Sequence, residues 1–141
     1  MNKAIDLTIK PQYVKNYMNG YPLISKDSIV DWSKVKSEGT IVNLLDERKK
    51  FIAKGYYGIQ NKGYGWVLTS KKEEEINVSY FTHKIKTAIQ YREAFYHDEN
   101  TTAFRVFNGE GDGVGGLTID YFDGFYLITW YSLGIYEFRE D

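Results

Sequence analysis

Between Thr40 and Thr69 the sequence breaks into short apolar runs, TIVNLL at 40–45, FIAKGYY at 51–57 and GWVLT at 65–69, separated by polar or glycine-bearing segments. Runs of this length, rich in branched and aromatic side chains, read as strands rather than packed helices. The polar stretch Asp46–Lys50 supplies a hairpin loop between the first two. Glycines at 55, 58, 63 and 65 suit bulges or sharp corners where a sheet curls into a small barrel. Aromatic residues make up 17% of the 141 residues, ample material for a packed interior.

The flanking segments extend this pattern. Ala4–Lys10 alternates apolar and polar residues (Ile5, Leu7, Ile9), as a half-buried strand does. Pro11 suits the first turn of a short helix over Gln12–Met18, with Val14, Tyr17 and Met18 at helical spacing. Gly20 ends that helix and Pro22 blocks its continuation. Ile29, Val30 and Trp32 are read as a further strand. The charged run KKEEE at 71–75 is a linker. Beyond it, Asn77 or Ser79 caps a helix running to about Phe95, with Phe81, Ile85, Ala88, Ile89 and Phe95 near one face. Ala103–Phe107, Leu117–Phe122 and Phe125–Trp130 read as strands, the last two joined by the tight turn Asp123-Gly124. The expected fold is β-rich α+β: a small β-barrel over residues 1–72, then a small strand-helix-strand unit over 73–141.

Charge divides along the same line. Residues 1–72 hold 13 basic against 6 acidic side chains, a net of +7, whereas 73–141 hold 5 against 13, a net of −8. The first unit is therefore the one suited to a polyanion. The absence of cysteine excludes a disulfide framework, a thiolate metal site and a cysteine nucleophile. Charged residues interrupt the N-terminus before any signal-like apolar run, and no stretch is long and apolar enough to span a bilayer. A soluble, cytoplasmic protein is expected.

The glycine-rich segment NGEGDGVGG at 108–116 matches several motifs loosely and completes none. Gly111, Gly113 and Gly116 satisfy the dinucleotide-binding spacing, but strand-like LTIDYF follows where a helix must open. Gly111 to Thr118 has a P-loop spacing, but Leu117 stands in place of the phosphate-binding lysine. Asn108, Glu110 and Asp112 imitate the start of a calcium loop whose final bidentate ligand would be Ile119. Glu110, Asp112 and Asp120 are expected to cap backbone donors or pair with Arg105 rather than to form an acid/base pair. His83 and His97 lie outside the short spacings that mark zinc sites. No catalytic constellation and no metal site is expected.

Taken as one ordered string, FRVFNGEGDGVGGLTIDYFDGFYLITW at 104–130 resembles a signature of PUA-containing bacterial rRNA methyltransferases. These are class I, S-adenosylmethionine-dependent enzymes that make 5-methylcytosine in large-subunit rRNA. The matching elements are Arg105, the turn Asn108-Gly109-Glu110 with Asp112-Gly113, the Gly116-Leu117 step, Asp120 and the Tyr126–Trp130 strand. The helix before Gly20-Tyr21-Pro22, and EGTIVNLLDERKKFIAKGYYG at 38–58, resemble the PUA barrel of that family. Gly20-Tyr21-Pro22-Leu23 departs from the family's basic-His-Pro-Trp sequence, and Gly115 replaces its usual proline.

The resemblance implies that the PUA-like half docks structured RNA, rRNA rather than DNA, by shape and phosphate contact. The residues it singles out are Lys15, Asn16 and Tyr21 near the first helix, with Lys54 and Tyr57 on the return strand. Lysine and asparagine meet phosphate or 2′-hydroxyl oxygens, and tyrosine stacks on an unpaired base. Arg105, Asn108, Gly109, Glu110, Asp112, Gly113 and Asp120 are expected to shape the second unit, a platform for docking a methyltransferase domain C-terminal to Asp141. On that reading S-adenosylmethionine and the chemistry belong to the further domain, and these residues alone are inactive. Two alternatives without RNA affinity are a protein-interaction module and a small-ligand module built on aromatic platforms.

Overall fold

The computed structural model describes residues 3–141; Met1 and Asn2 of the expected barrel lie outside the described residues. Strands β1 (Ile5–Thr8), β2 (Leu23–Ile24), β3 (Ile41–Leu45), β4 (Phe51–Gln60) and β5 (Gly63–Thr69) form one sheet in the order β1-β3-β4-β5-β2. The first pair is parallel and the rest antiparallel. Alternation along β3 sends Val42 and Leu44 inward, both fully buried. The β3–β4 loop is held by Asp46, whose Oδ1 accepts from the backbone N–H of Arg48 and of Lys50, each at 2.9 Å.

β4 runs three residues past its expected end at Tyr57, and β5 starts two residues before Gly65. The glycines explain why. A Cβ on Gly55 would lie 2.2 Å from the Trp66 carbonyl oxygen, and one on Gly65 equally close to that of Tyr56. These positions let two strands close up through a register shift after Lys54 and continue, where a corner was one of the expected outcomes.

The strand expected over Ile29, Val30 and Trp32 is instead a single bridge, Ile9 to Ile29, flanked by Lys10 N–H to Ser28 O (2.8 Å) and Val30 N–H to Thr8 O (2.9 Å). That bridge links the β1 edge to the segment after β2 and closes the barrel. Trp32 then turns away, its indole donating to the Lys26 carbonyl at 2.9 Å. A 3₁₀ turn (Pro11–Tyr13) leads into helix α1 (Val14–Met18). Tyr17 is buried against Leu7, Ile9, Ile24 and Ile29, whereas Met18 faces out despite its helical spacing.

Asn77 caps helix α2 (Val78–Tyr91), its Oδ1 accepting from Tyr80 N–H at 3.1 Å. The helix ends earlier than expected, at Arg92, and a separate turn α3 (Glu93–Tyr96) follows. Arg92 folds back to donate to the Ala88 carbonyl and to Asp112. Ile89 and Phe95 sit at the surface, while Tyr80, Phe81 and Ala88 are buried. Strands β6 (Ala103–Asn108), β7 (Leu117–Phe122) and β8 (Phe125–Trp130) form an antiparallel meander. Asp123 and Gly124 both adopt positive φ (42° and 95°), the turn geometry that matches strand twist. Helix α4 (Leu133–Tyr136) completes the chain as described.

The two sheets share a core. Tyr56, Trp66 and Leu68 of the barrel pack with Tyr80, Phe81, Phe107, Val114, Leu117 and Ile135. Gly115 lies flat on Trp66, where a Cβ would fall 2.2 Å from the ring.

Candidate nucleic-acid interface

Lys15 and Asn16 are exposed on α1, and Tyr21 follows the turn at Gly20 (φ +90°) with 46% of its surface free. Asn16, Asn19, Gly20 and Tyr21 line a shallow depression of about 310 Å³. Their side chains combine amide donors and acceptors with an exposed ring, the mixture that contacts ribose and base.

Lys54 and Tyr57 are half-buried and stand elsewhere on the barrel. The Lys54 ammonium donates to the carbonyls of Lys72 and Glu74, each at 2.8 Å, so it anchors the linker. One of its three donors remains for an outside acceptor. Tyr57 belongs to an aromatic cluster: its ring centroid lies 5.6 Å from Trp32 and 6.2 Å from Tyr64, and those two are 5.2 Å apart. Lys26 Nζ stands 5.8 Å over the Tyr64 ring. Burial, and then the nearby Glu38 and Tyr64, push the Tyr57 phenol above its ordinary pKa, keeping it neutral.

Trp32, Tyr64 and Lys26 were not among the residues singled out from sequence. Tyr64 lies across the β4–β5 hairpin from Tyr57, a proximity the hairpin reading could have exposed. Trp32 joins them only through barrel closure.

The signature residues build a rigid turn. Asp112 takes a bidentate pair from Arg92 (2.8 and 3.1 Å) and also accepts from the Asn108 backbone N–H at 2.7 Å. Arg105 and Asp120 face each other across β6 and β7, Nε to Oδ1 at 2.9 Å. Gly109 and Gly113 adopt positive φ (56° and 98°), the first opening a 3₁₀ turn (Gly109–Asp112) and the second capping its end. Glu110 is exposed. Asp120 pairs with Arg105 and Asp112 caps a backbone donor, both as expected; the additional pairing of Asp112 with Arg92 was not foreseen from sequence.

Residues 7–70 match the family described as PUA-like domain. The chain is 48% identical over 135 residues to YwbD of Bacillus subtilis (strain 168), named as a ribosomal RNA large subunit methyltransferase, covering 95% of this chain and 34% of that protein. It is 27% identical over 131 residues to ribosomal RNA large subunit methyltransferase I of Enterobacter sp. (strain 638), covering 93% and 33%. A solved structure from Streptococcus mutans, described as a SAM-dependent methyltransferase, superposes with a TM-score of 0.85 at 33% identity, covering 96% of this chain and 35% of that one. Residues 7–70 thus carry a PUA-like domain, and nearly the whole chain is similar to the corresponding third of proteins named as ribosomal RNA large subunit methyltransferases. The chain spans about a third of the length of the relatives it matches.

The aromatic cluster and the α1 depression both lie within the residues that match the PUA-like domain. The glycine-rich segment does not fit S-adenosylmethionine: its 3₁₀ turn is followed by the turn residues 113–116 and then by β7, with no helix N-terminus to receive a nucleotide cofactor. Among the described residues no group of His, Asp and Glu is arranged to hold a metal ion, and no helix is long and apolar enough to cross a membrane.

Proposed function

We propose that this chain is the RNA-gripping part of an S-adenosylmethionine-dependent rRNA cytosine methyltransferase. The PUA-like domain holds structured rRNA, and the chemistry belongs to the portion of the relatives that this chain does not span. The observation that carries the reading is the Trp32–Tyr57–Tyr64 cluster beside Lys26, ring faces next to a cation on the basic half of the chain. Lys15, Asn16 and Tyr21 extend the contact from α1, and Lys54 contributes its remaining donor. Residues 1–72 act as the RNA-binding unit, and 73–141 as the connecting unit.

The connecting unit has a different surface. On the edge strand β8, Phe125, Tyr126, Leu127 and Ile128 are all exposed, an apolar, unpaired edge suited to protein contact. The methyltransferase domain is the partner proposed for it, and the net negative charge of this half keeps RNA on the barrel side.

Titration of fluorescent rRNA fragments at several salt concentrations tests the reading. Affinity should fall with a log–log slope of about −0.7 per phosphate contacted on single-stranded segments. Tyr57→Ala and Lys26→Ala should each weaken binding. Salt-independent or absent binding overturns it in favour of a pure protein-interaction module.

A further inference from the structure

Among the described residues, four buried side-chain polar atoms lack a hydrogen-bond partner: Asn43 Oδ1, Gln60 Nε2, Trp66 Nε1 and Thr118 Oγ1. Gln60, Trp66 and Thr118 line a single cleft of about 320 Å³ between the tip of the β4–β5 hairpin and the start of β7. Buried polar groups are normally paired, because an unpaired one forfeits its hydration without compensation. Three such atoms around one cleft mark a place where a ligand completes the hydrogen bonding.

The walls cannot easily rearrange to satisfy themselves. Trp66 is only 6% exposed, and the Gly115 backbone lies against its ring. Thr118 is 7% exposed and sits in the central strand of the meander, between Asn108 and Thr129. Gln60 closes the end of β4 opposite Gly63.

The chemistry of these atoms restricts the ligand. An indole N–H and an amide nitrogen only donate, and a threonine hydroxyl does either. Two of the three unpaired atoms are therefore neutral donors and the third can act as one, which suits ring carbonyl oxygens. The lining holds one lysine, Lys62, and one carboxylate, Glu110, both exposed, so its formal charges sum to zero and do not select a bare anion. Tyr131, 54% exposed, also lines the cleft and offers a ring on which a planar group can stack. The cleft shares its hairpin with the aromatic cluster, Lys62 being two positions from Tyr64.

We infer that this cleft takes one carbonyl-bearing nucleobase, uracil-like in its ring oxygens, splayed out of single-stranded RNA. The inference deepens the RNA-binding reading and rests on it for the source of the base. Trp66, Gln60 and Thr118 would recognise the base edge, and Tyr131 would cover its face.

The test follows the Trp66 indole N–H in ¹H–¹⁵N spectra of the whole chain. Its resonance is assigned by elimination with Trp32→Phe and Trp130→Phe, since the chain holds three tryptophans. Uridine monophosphate should move this resonance, and inorganic phosphate should not. The near-isosteric Thr118→Val should weaken uridine monophosphate by about tenfold, and Gln60→Leu by a similar factor. An indole resonance unmoved by uridine monophosphate, or variants that bind it as tightly as the parent, overturns the base pocket. If salt-dependent RNA binding persists in that case, the pocket alone has failed. If uridine monophosphate fills the cleft but the chain has no affinity for RNA, the RNA reading has failed, and with it the assignment of the base to RNA.

Discussion

The Tyr56 hydroxyl donates a 2.7 Å hydrogen bond to the Gly115 carbonyl, joining two residues 59 positions apart across the seam between the two sheets. Both groups are buried, so removing the hydroxyl leaves a carbonyl with neither protein nor bulk water to pair it. Tyr56→Phe should therefore cost about 1–3 kcal/mol, measured as a lower urea midpoint. An unchanged midpoint would show that the seam tolerates an unpaired carbonyl.

Two arginine–carboxylate pairs invite a direct comparison. Arg92–Asp112 is 19% and 11% exposed, and Asp112 also accepts from a backbone N–H; Arg105–Asp120 is 46% and 18% exposed. Asp112→Ala strands a partly buried guanidinium and an unpaired amide, and should cost about 2–4 kcal/mol. Asp120→Ala, with a better solvated arginine, should cost about 1 kcal/mol or less. Chemical denaturation of both variants checks the order.

Lys54 and Lys15 should respond differently to truncation. Lys54→Ala releases the linker carbonyls of Lys72 and Glu74 and should lower stability by about 1–2 kcal/mol as well as weakening RNA. Lys15→Ala, exposed on α1, should weaken RNA and leave the melting temperature unchanged. Paired melting and binding curves separate the two effects. Equal melting temperatures for both variants would remove the anchoring role of Lys54.

Alkaline pH should destabilise the fold through its buried phenols. Burial is the main cause raising the pKa of Tyr56 and of Tyr80, whose hydroxyl also donates to the Leu68 carbonyl at 2.8 Å. Below about pH 10, the ordinary phenol value, both states are protonated and no stability is lost. Above it the unfolded chain releases protons that the folded chain retains, so stability falls as pH rises toward the raised folded values. Thermal melting across that range should show the decline. Tyr80→Phe should flatten it, although its absolute stability starts lower.

Strands β1, β3 to β5 and β6 to β8, the Asp46 loop, the Asn77 cap and the Asp123-Gly124 turn were legible because each depends on neighbours within a few positions, through alternation or local hydrogen bonding; the two-residue β2 was not, being too short to show alternation. The same locality misled where a distant contact overrode it. Helical spacing alone carried α2 past Arg92; in the structure α2 stops at Tyr91, and the Arg92 side chain turns back onto the Ala88 carbonyl and onto Asp112, 20 positions on. Residues 29–32 had strand composition, but barrel closure needed only one bridge there.

The candidate surfaces divide the same way. Charge separation between the halves and the individual tyrosines and lysines are properties of the chain itself, set before any folding. The meeting of Trp32, Tyr57 and Tyr64, and the cleft that gathers Gln60, Trp66 and Thr118, are products of tertiary structure. They bring together residues whose separation in sequence carries no periodic signal, and only strand register and the packing of one sheet on the other place them side by side.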